Sequence, residues 1–338
     1  MYKIAIDGRE LKGKSGVSTY LGNLVKNYNE PDMEFCFASL ENTLPFKSNA
    51  AWSNISLPFY LAKEKIDLYH SPFFTLPLLK TCKMILTVHD VIFEVNPAWF
   101  PVKNLLSFKL FTRTALRTAD KIITDSQASK NDLVRFFSCP AEKIVVIPLA
   151  PAEIFRPVRE VKKIFEKYIL YVGNLGNRKN IVRLVRAFEK LNLGHQLVLV
   201  GGQGYKGEDV LRMIAGSPQI TYLAKVGDDE LVQLYNGAAL FVYPSLYEGF
   251  GLPILEAMAC GTPVATSNVS SLLEVAGDAA LLFNPEDIDD ITDKMRRLLT
   301  NSELRASLRQ RGLARAAEFS WKKAARQTIQ VYREVLGQ

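Results

Sequence analysis

In the stretch "SLYEGFGLPILEAMACGTPVATS", Glu248 and Glu256 stand eight positions apart, with Gly249 and Gly251 between them and the apolar run "LFVYP" just upstream. Pro253 suits the first turn of a helix, and the glycines before it let backbone amides approach a ligand closely. Such a turn can cradle a phosphate at a helix N-terminus. Glu256, one turn into the helix, would repel phosphate but can accept two hydrogen bonds from a vicinal diol such as a ribose. Glu248, on the near side, would face whatever hangs from the far phosphate. A nucleoside diphosphate carrying a sugar meets all three demands. On spacing alone, a tight strand-to-helix turn with solvated glutamates is the other reading.

The elements that must hold these residues are legible as alternating apolar runs and helical-period stretches, the pattern of parallel sheets covered by helices on both faces. The first series is "KIAIDG", "EFCFASL", "IDLYHSP", "KMILTVHD", "KIITDS" and "KIVVIPLA"; the second is "YILYVGN", "QLVLVGG", "ITYLAK", "LFVYPS", "PVATSN" and "ALLFNP". Six runs followed by six predict an α/β protein of two doubly wound domains, over residues 1–155 and 156–320. The segment 148–163 contains three prolines and mixed charge, which marks a linker. Amphipathic helices are expected near 287–300 and 302–317, with a final helix over 321–338. In open α/β sheets ligands bind beyond the carboxyl ends of the strands, so two sheets facing across a cleft would place the site in that cleft.

The 338 residues exceed the size at which one core stops growing, in agreement with two domains. Hydrophobic residues make up 48% and charged residues 23%, and no segment reaches the ~18 apolar residues of a membrane span. No secretory signal pattern precedes the first strand, so a cytoplasmic site of action is expected. Cys36, Cys82, Cys139 and Cys260 lie far apart without a CxxC pair, which fits reduced thiols better than disulfides or zinc ligands. The net charge of +7 is spread evenly: 20 cations against 16 acids in residues 1–160, and 22 against 19 in the remainder. Neither half is a basic nucleic-acid domain, and no nucleic-acid partner is expected.

The Glu248 to Glu256 stretch resembles the E-x7-E motif of the retaining glycosyltransferases of family GT4, and the similarity runs through nearly the whole chain, most strongly over 168–285. The resemblance implies a GT-B fold, two Rossmann-like doubly wound domains, with the nucleotide sugar held mainly by the second and no metal or other cofactor required. It implies that Glu256 binds the ribose, Glu248 the donor sugar hydroxyls, and the backbone of Gly249, Phe250, Gly251 and Leu252 the pyrophosphate. A metal-free transferase must supply positive charge to the departing diphosphate from amides, helix ends and cationic side chains. Arg178 and Lys179, in "YVGNLGNRKNIVRLVRAF", occupy the place of the family's phosphate-binding pair. Many relatives carry an arginine directly after Gly173, where this chain has Asn174.

The same resemblance extends to the first domain. Gly13 and Gly16 lie in a glycine-rich loop whose backbone nears the donor, and His89, beside Asp90 at a strand end, lies near the donor sugar. His89 is expected to orient the sugar and stabilise the transition state, not to act as a general base. Gly202, Gly204 and Gly207 fit a dinucleotide fingerprint superficially, but the run follows the second strand of its domain and lacks the acid expected after the next strand. The resemblance instead places Gly202 beside the donor sugar, and gives Lys225 and Val226 backbone contacts to the base. Asp228 and Asp229 have the appearance of a DxD metal motif but fit better as the N-cap and first turn of a helix. In a GT-B fold the helix over 321–338 would pack back on the first domain.

The expected activity is transfer of a hexose to a sugar hydroxyl of a lipid-linked or polysaccharide acceptor. The resemblance to short chains with "EGFGLPILEAMACGTPV" implies mannose from GDP-mannose; a UDP-sugar donor, a sugar-nucleotide epimerase and a binding protein without turnover remain alternatives. In 100–121, Lys103, Lys109, Arg113 and Arg117 occur with no acid between Glu94 and Asp120. Lys109, Arg113 and Arg117, at i, i+4 and i+8, would share a helical face that meets an anionic membrane or a lipid diphosphate. A solvated surface helix is the plainer reading.

Overall fold

The computed structural model describes residues 1–338 except 12, 14, 15, 41, 42, 44–50 and 163, and describes the backbone alone for 102–104. Lys103 as a side chain, and three residues around Gly13, therefore lie outside the description. The chain divides into two compact units, Met1–Leu149 with Trp321–Gln338, and Ala150–Ser320. The division falls inside the proline-containing segment, six residues before the boundary expected at 155.

In the first unit the strands are β1 (Tyr2–Asp7), β2 (Met33–Ala38), β3 (Leu68–Ser71), β4 (Lys83–Thr87), β5 (Lys121–Thr124) and β6 (Ile144–Val146). They form one parallel sheet in the order β2-β1-β3-β4-β5-β6. In the second unit they are β7 (Tyr168–Val172), β8 (Gln196–Val200), β9 (Ile220–Leu223), β10 (Leu240–Tyr243), β11 (Val264–Ser267) and β12 (Ala280–Phe283). These too form one parallel sheet, in the order β12-β11-β10-β7-β8-β9. Each of the twelve apolar runs is a strand. Sheets covered on both faces bury consecutive side chains, so Ile4, Ala5 and Ile6, or Leu197, Val198 and Leu199, are all fully buried without alternation.

Helix Trp321–Leu336 belongs to the first unit. Its Tyr332 hydroxyl lies 2.7 Å from His70 Nδ1 and 3.0 Å from Tyr28 Oη, while Arg333 pairs with Glu30 at 2.7 Å and Asp32 at 2.6 Å. The four cysteines are unpaired, with Cys139 and Cys260 buried and Cys36 and Cys82 half-buried.

Two expectations need correction. The helix Asp228–Gly237 is capped by Gly227, so Asp228 is its first helical residue and not the N-cap; Asp228, Asp229 and Glu230 fill the first turn, where carboxylates oppose the positive end of the helix dipole. In helix Val102–Thr118 the three cations are not equivalent, because Lys109 Nζ is tied to Glu94 Oε2 at 2.6 Å. Glu94 lies on the short helix Ile92–Val95, just before the acid-free stretch. Phe108 turns inward onto Phe74, Phe93 and Phe100. The exposed stripe is Leu106, Leu110, Arg113 and Arg117, with Phe111 alongside; Leu106 and Leu110 expose 79% and 62% of their surface.

Candidate active site

The sheet of the second unit is built outward from β7 through β8 to β9, and then crosses back to β10 on the other side of β7. The loops after β7 and β10 therefore leave the sheet side by side and diverge, which opens a crevice at the carboxyl end. One of these loops carries Arg178 and Lys179, and the other carries Glu248. Lys179 Nζ lies 2.6 Å from Glu248 Oε1 and 2.7 Å from Tyr243 Oη, and Arg178 Nη1 lies 2.7 Å from Glu248 Oε2. Arg178 also donates to the Tyr247 carbonyl, and its own carbonyl accepts from Leu246 N at 2.9 Å. The loops are thus joined through side chain and backbone alike. Burial alone would raise the Glu248 carboxyl, yet Lys179 and Arg178 outweigh it and draw it down to about 2, so the group is a fixed anion at neutral pH.

Three residues without a recognisable local signal complete this region. Asn180 takes a left-handed conformation at φ 59° and donates to the carbonyls of Pro244 and Pro285, at 3.0 and 2.7 Å, which ties the ends of β10 and β12 to the segment bearing Lys179. Ser270 Oγ accepts from Glu248 N at 3.0 Å. Ser271 Oγ donates to the carbonyls of Glu248 and Phe250, both at 2.8 Å. Ser270 itself sits at φ 49°, ψ −140°, a strained conformation of the kind that persists where surroundings over-determine it.

The turn after Glu248 behaves as its composition requires. Gly251 adopts φ 114°, and a Cβ there would meet Leu272 at 2.8 Å. Helix Leu252–Ala259 follows at once, with Gly251 as its N-cap and Pro253 in its first turn, and Ile254 N donates to the Gly251 carbonyl at 3.0 Å. Glu256, on that helix, accepts a hydrogen bond from Tyr235 Oη at 2.8 Å. Burial pushes its carboxyl up to about 7 against the opposing pull of that hydroxyl, and Asp228 adds to the rise. Glu248 and Glu256 are therefore not an equivalent pair: one is paired with two cations, the other with a neutral phenol.

The glycines of the loop after β8 serve mainly to let two loops meet. Leu175 N donates to the Gly202 carbonyl at 2.8 Å and Asn177 N to that of Tyr205 at 3.3 Å. A Cβ on Gly204 would lie 2.7 Å from Gly176 N, and one on Gly207 only 1.8 Å from the Gln203 carbonyl. Gly202, by contrast, is exposed with open space around it. Asn174 shapes the neighbouring loop after Gly173: its Oδ1 accepts from Gly176 N at 3.3 Å, and its carbonyl accepts from Tyr171 Oη at 2.8 Å. Lys225 and Val226 lie between β9 and Gly227, with Lys225 exposed and Val226 half-buried.

In the first unit His89 follows β4, with its Nδ1 2.7 Å from Asp125 Oδ2. Gly16 opens helix Gly16–Lys26, and Gly13 stands close enough to Ser18 that a Cβ would lie 2.6 Å from its hydroxyl. Asp7, at the end of β1, holds Arg9 at 2.7 Å, and the Arg9 guanidinium lies over Trp52 and Phe73. Asp90 Oδ1 accepts from Ile92 N at 3.2 Å. Among the described residues, no group of three or more His, Cys, Asp or Glu side chains is arranged to hold a metal ion.

Comparison with known proteins decides the class. Residues 155–315 match the family described as Glycosyl transferases group 1, and residues 16–150 match Glycosyltransferase Family 4. The chain is a family 4 glycosyltransferase. Its two matched segments correspond to the two units, and the cluster of Arg178, Lys179 and Glu248 lies in the group 1 segment. This glycosyltransferase is 36% identical over 289 residues to O-antigen chain mannosyltransferase B of Escherichia coli, covering 81% of its own length and 76% of that relative. It is 31% identical over 75% of its length to the serotype-specific mannosyltransferase WbdA of the same species, but spans only about a third (34%) of that longer protein. In fold it resembles sucrose-phosphate synthase from Thermosynechococcus elongatus, with a TM-score of 0.83 at 21% identity over all of both chains. It also resembles Anabaena HepE in complex with UDP-glucose, with a TM-score of 0.80 at 18% identity over 99% and 100% of the two chains. The glycosyltransferase thus has the GT-B fold class.

Proposed function

We propose that this glycosyltransferase moves mannose from GDP-mannose to a sugar hydroxyl of a lipid-linked or polysaccharide acceptor, with retention at the anomeric carbon and without a metal. The cluster of Arg178 and Lys179 on Glu248, beside the amides that open helix Leu252–Ala259, carries this reading. The diphosphate sits against the backbone of Gly249, Phe250, Gly251 and Leu252 and takes up Arg178 and Lys179. As the bond from the anomeric carbon to the diphosphate breaks, its electron pair moves onto the diphosphate, and the two cations meet the growing charge. The acceptor oxygen bonds to the same face of that carbon, and its proton leaves with the diphosphate. Glu248 orients the sugar hydroxyls, and Glu256 in its ionised form accepts from the ribose diol.

The sugar is supported by the relatives named above, which are mannosyltransferases. Gly13, Gly16, Gly173, Asn174, Gly202 and Val226 border the donor, and His89 stabilises the reacting sugar. A thermal-shift series with GDP-mannose, GDP, UDP-glucose and UDP-N-acetylglucosamine in EDTA tests the donor, since a ligand that binds only the native state raises its stability with concentration over Kd. GDP-mannose should give the largest shift; a larger shift with either UDP sugar overturns the donor assignment.

The enzyme works in the cytoplasm, peripherally at the inner face of the membrane. Among the described residues no helix is long and apolar enough to cross a bilayer. The stripe of Leu106, Leu110, Arg113 and Arg117 supports contact with an anionic surface, because apolar side chains enter the headgroup boundary while each cation adds about 1 kcal/mol.

A further inference from the structure

We infer that Asp125 is a positioning residue for the reaction: it holds His89 in one tautomer and one orientation, with Nε2 directed to an oxygen of the reacting sugar or its diphosphate. The inference rests on the reading of His89 given above and adds a residue to it.

The geometry begins with the sheet. β4 and β5 pair with Thr87 opposite Ile123, and the same register, continued two residues, sets His89 opposite Asp125. The backbone there is held on both sides. Val88 N donates to the Ile123 carbonyl at 2.9 Å, Thr124 Oγ1 donates to that of Val88 at 2.7 Å, and Ser129 Oγ donates to that of His89 at 3.0 Å. The ring edge meets Tyr20 at a centroid distance of 5.0 Å and a right-angled tilt, and Tyr20 Oη is itself 3.2 Å from Thr87 Oγ1. A main chain fixed at this point still leaves the imidazole the freedom of its two side-chain torsions and of which nitrogen carries the proton.

Asp125 removes that freedom. An ionised carboxylate only accepts hydrogen bonds, so the contact of 2.7 Å requires a proton on Nδ1. Asp125 exposes 2% of its side chain, and His89 exposes 21%. Nε2 of His89 and Oδ1 of Asp125 are both screened from water and meet no hydrogen-bond partner among the described residues. A buried polar atom left unpaired costs about 1–3 kcal/mol, a cost that a substrate oxygen placed at Nε2 would relieve.

The charge of the ring follows from its neighbours. Burial disfavours the imidazolium, but Asp125, through charge and hydrogen bond, and Asp90 more weakly, raise the His89 pKa on balance. Burial pushes the Asp125 carboxyl up in turn. His70, on β3, is held neutral by burial, at about 3, and Tyr20 stays protonated because burial raises it. Ser129 contributes a neutral hydroxyl. Asp125 is thus the charged group that decides how far up the pH scale His89 stays cationic, with an Nε2 proton to donate.

The test is a nitrogen-15 NMR titration of the histidines, of which there are only three in the chain, in wild type and in Asp125→Asn, alongside the pH dependence of kcat and KM. Wild-type His89 should titrate above the ordinary value of ~6.5, with the proton on Nδ1 in its neutral form. Asp125→Asn should lower that pKa, move the pH profile of kcat with it, and reduce kcat at least tenfold while donor KM changes less than about threefold. A wild-type His89 that titrates at or below ~6.5, or protonates Nε2 in the neutral form, overturns the inference without any variant having to fold. If His89→Ala loses turnover but Asp125→Asn leaves the titration and the kcat profile unchanged, the inference fails and the role of His89 stands. If His89→Ala retains full turnover, that role fails, and the inference with it.

Discussion

Lys179 Nζ lies 2.6 Å from Glu248 Oε1, and the two side chains expose only 9% and 10% of their surface. A buried pair of this kind is held by the mutual need of its members, because either one left alone is an uncompensated charge. In the donor-free protein Glu248 is the anion that satisfies both Lys179 and Arg178. In the proposed reaction the diphosphate brings a second anion to the same cations, which Glu248 already holds in place.

Replacement of Lys179 by alanine should lower kcat/KM by roughly 10²- to 10³-fold, as for loss of one preorganised group facing a developing negative charge. It should also destabilise the fold by roughly 3 kcal/mol, the lower end for a broken buried pair, because Arg178 remains beside Glu248. The variant Lys179→Met, which keeps most of the packing volume and leaves Arg178 to pair with Glu248, should recover part of the melting temperature but not the activity. Recovery of activity along with stability would show that Lys179 serves the fold alone.

With Glu256 as the proposed ribose ligand, donor binding should depend on pH. The Glu256 carboxyl sits at about 7 in the free protein, and only the ionised form has both oxygens available to the ribose diol. Affinity for the nucleotide should therefore rise about tenfold from pH 6 to pH 8, as the ionised fraction grows from about one tenth to nine tenths. Glu256→Gln should flatten that dependence and weaken binding at pH 8 by about 1.5–3 kcal/mol. For folding the sign is opposite. A carboxyl raised above its unfolded value contributes stability below about pH 4.5 and loses it as pH rises through about 7, so Glu256→Gln should melt higher than wild type at pH 8. Calorimetric titration at the two pH values, with a melting curve at each, checks both directions.

Ser271 donates to two carbonyls of the Glu248 turn, and Ser271→Ala leaves both without that donor. A loss of about 1–3 kcal/mol in stability is expected. Because the turn presents Glu248, kcat should fall by more than nucleotide affinity does. Equal falls in the two would place Ser271 in nucleotide binding instead.

The face of helix Val102–Thr118 is tested with sedimented vesicles. Wild type should bind vesicles containing anionic lipid at low salt and release them as ionic strength rises. Arg113→Glu with Arg117→Glu should abolish binding while the thermal shift with nucleotide persists. Lys109→Glu should mainly cost stability, since Lys109 is occupied by Glu94. Equal vesicle binding by wild type and the arginine variant would assign the stripe to solvent.

The twelve strands were legible because both sheets are parallel and covered on both faces, so each strand is written as a short unbroken apolar run. The strand, glycine turn and proline-led helix around Glu248 were legible for the same local reason. What the sequence hides is partnership across strands. The contact of His89 with Asp125 exists because β4 lies beside β5, and that of Glu248 with Lys179 because β10 lies beside β7; neither adjacency is written in local spacing. Tyr235 and Tyr243 carry no local signal, and only the fold shows their hydroxyls on Glu256 and Lys179. Lys109 looked free because its acid lies fifteen residues away on another helix. Gly204 and Gly207 fit a phosphate-loop pattern because close backbone approach, of Gly204 to the loop of Gly176 and of Gly207 to Gln203 in its own loop, leaves the same residue type as close approach to a ligand.

Metal-free transfer of mannose with retention can be read from a single reaction. GDP-α-mannose labelled with carbon-13 at the anomeric position is incubated, in EDTA, with the enzyme and a mannose-terminated, lipid-diphosphate-linked glycan, and the product is read by NMR. Release of GDP with an α-linked mannose on the glycan is expected, at a rate that added Mg²⁺ does not change. A β-linked product, turnover that appears only on addition of Mg²⁺, or transfer from a UDP sugar but not from GDP-mannose would contradict it.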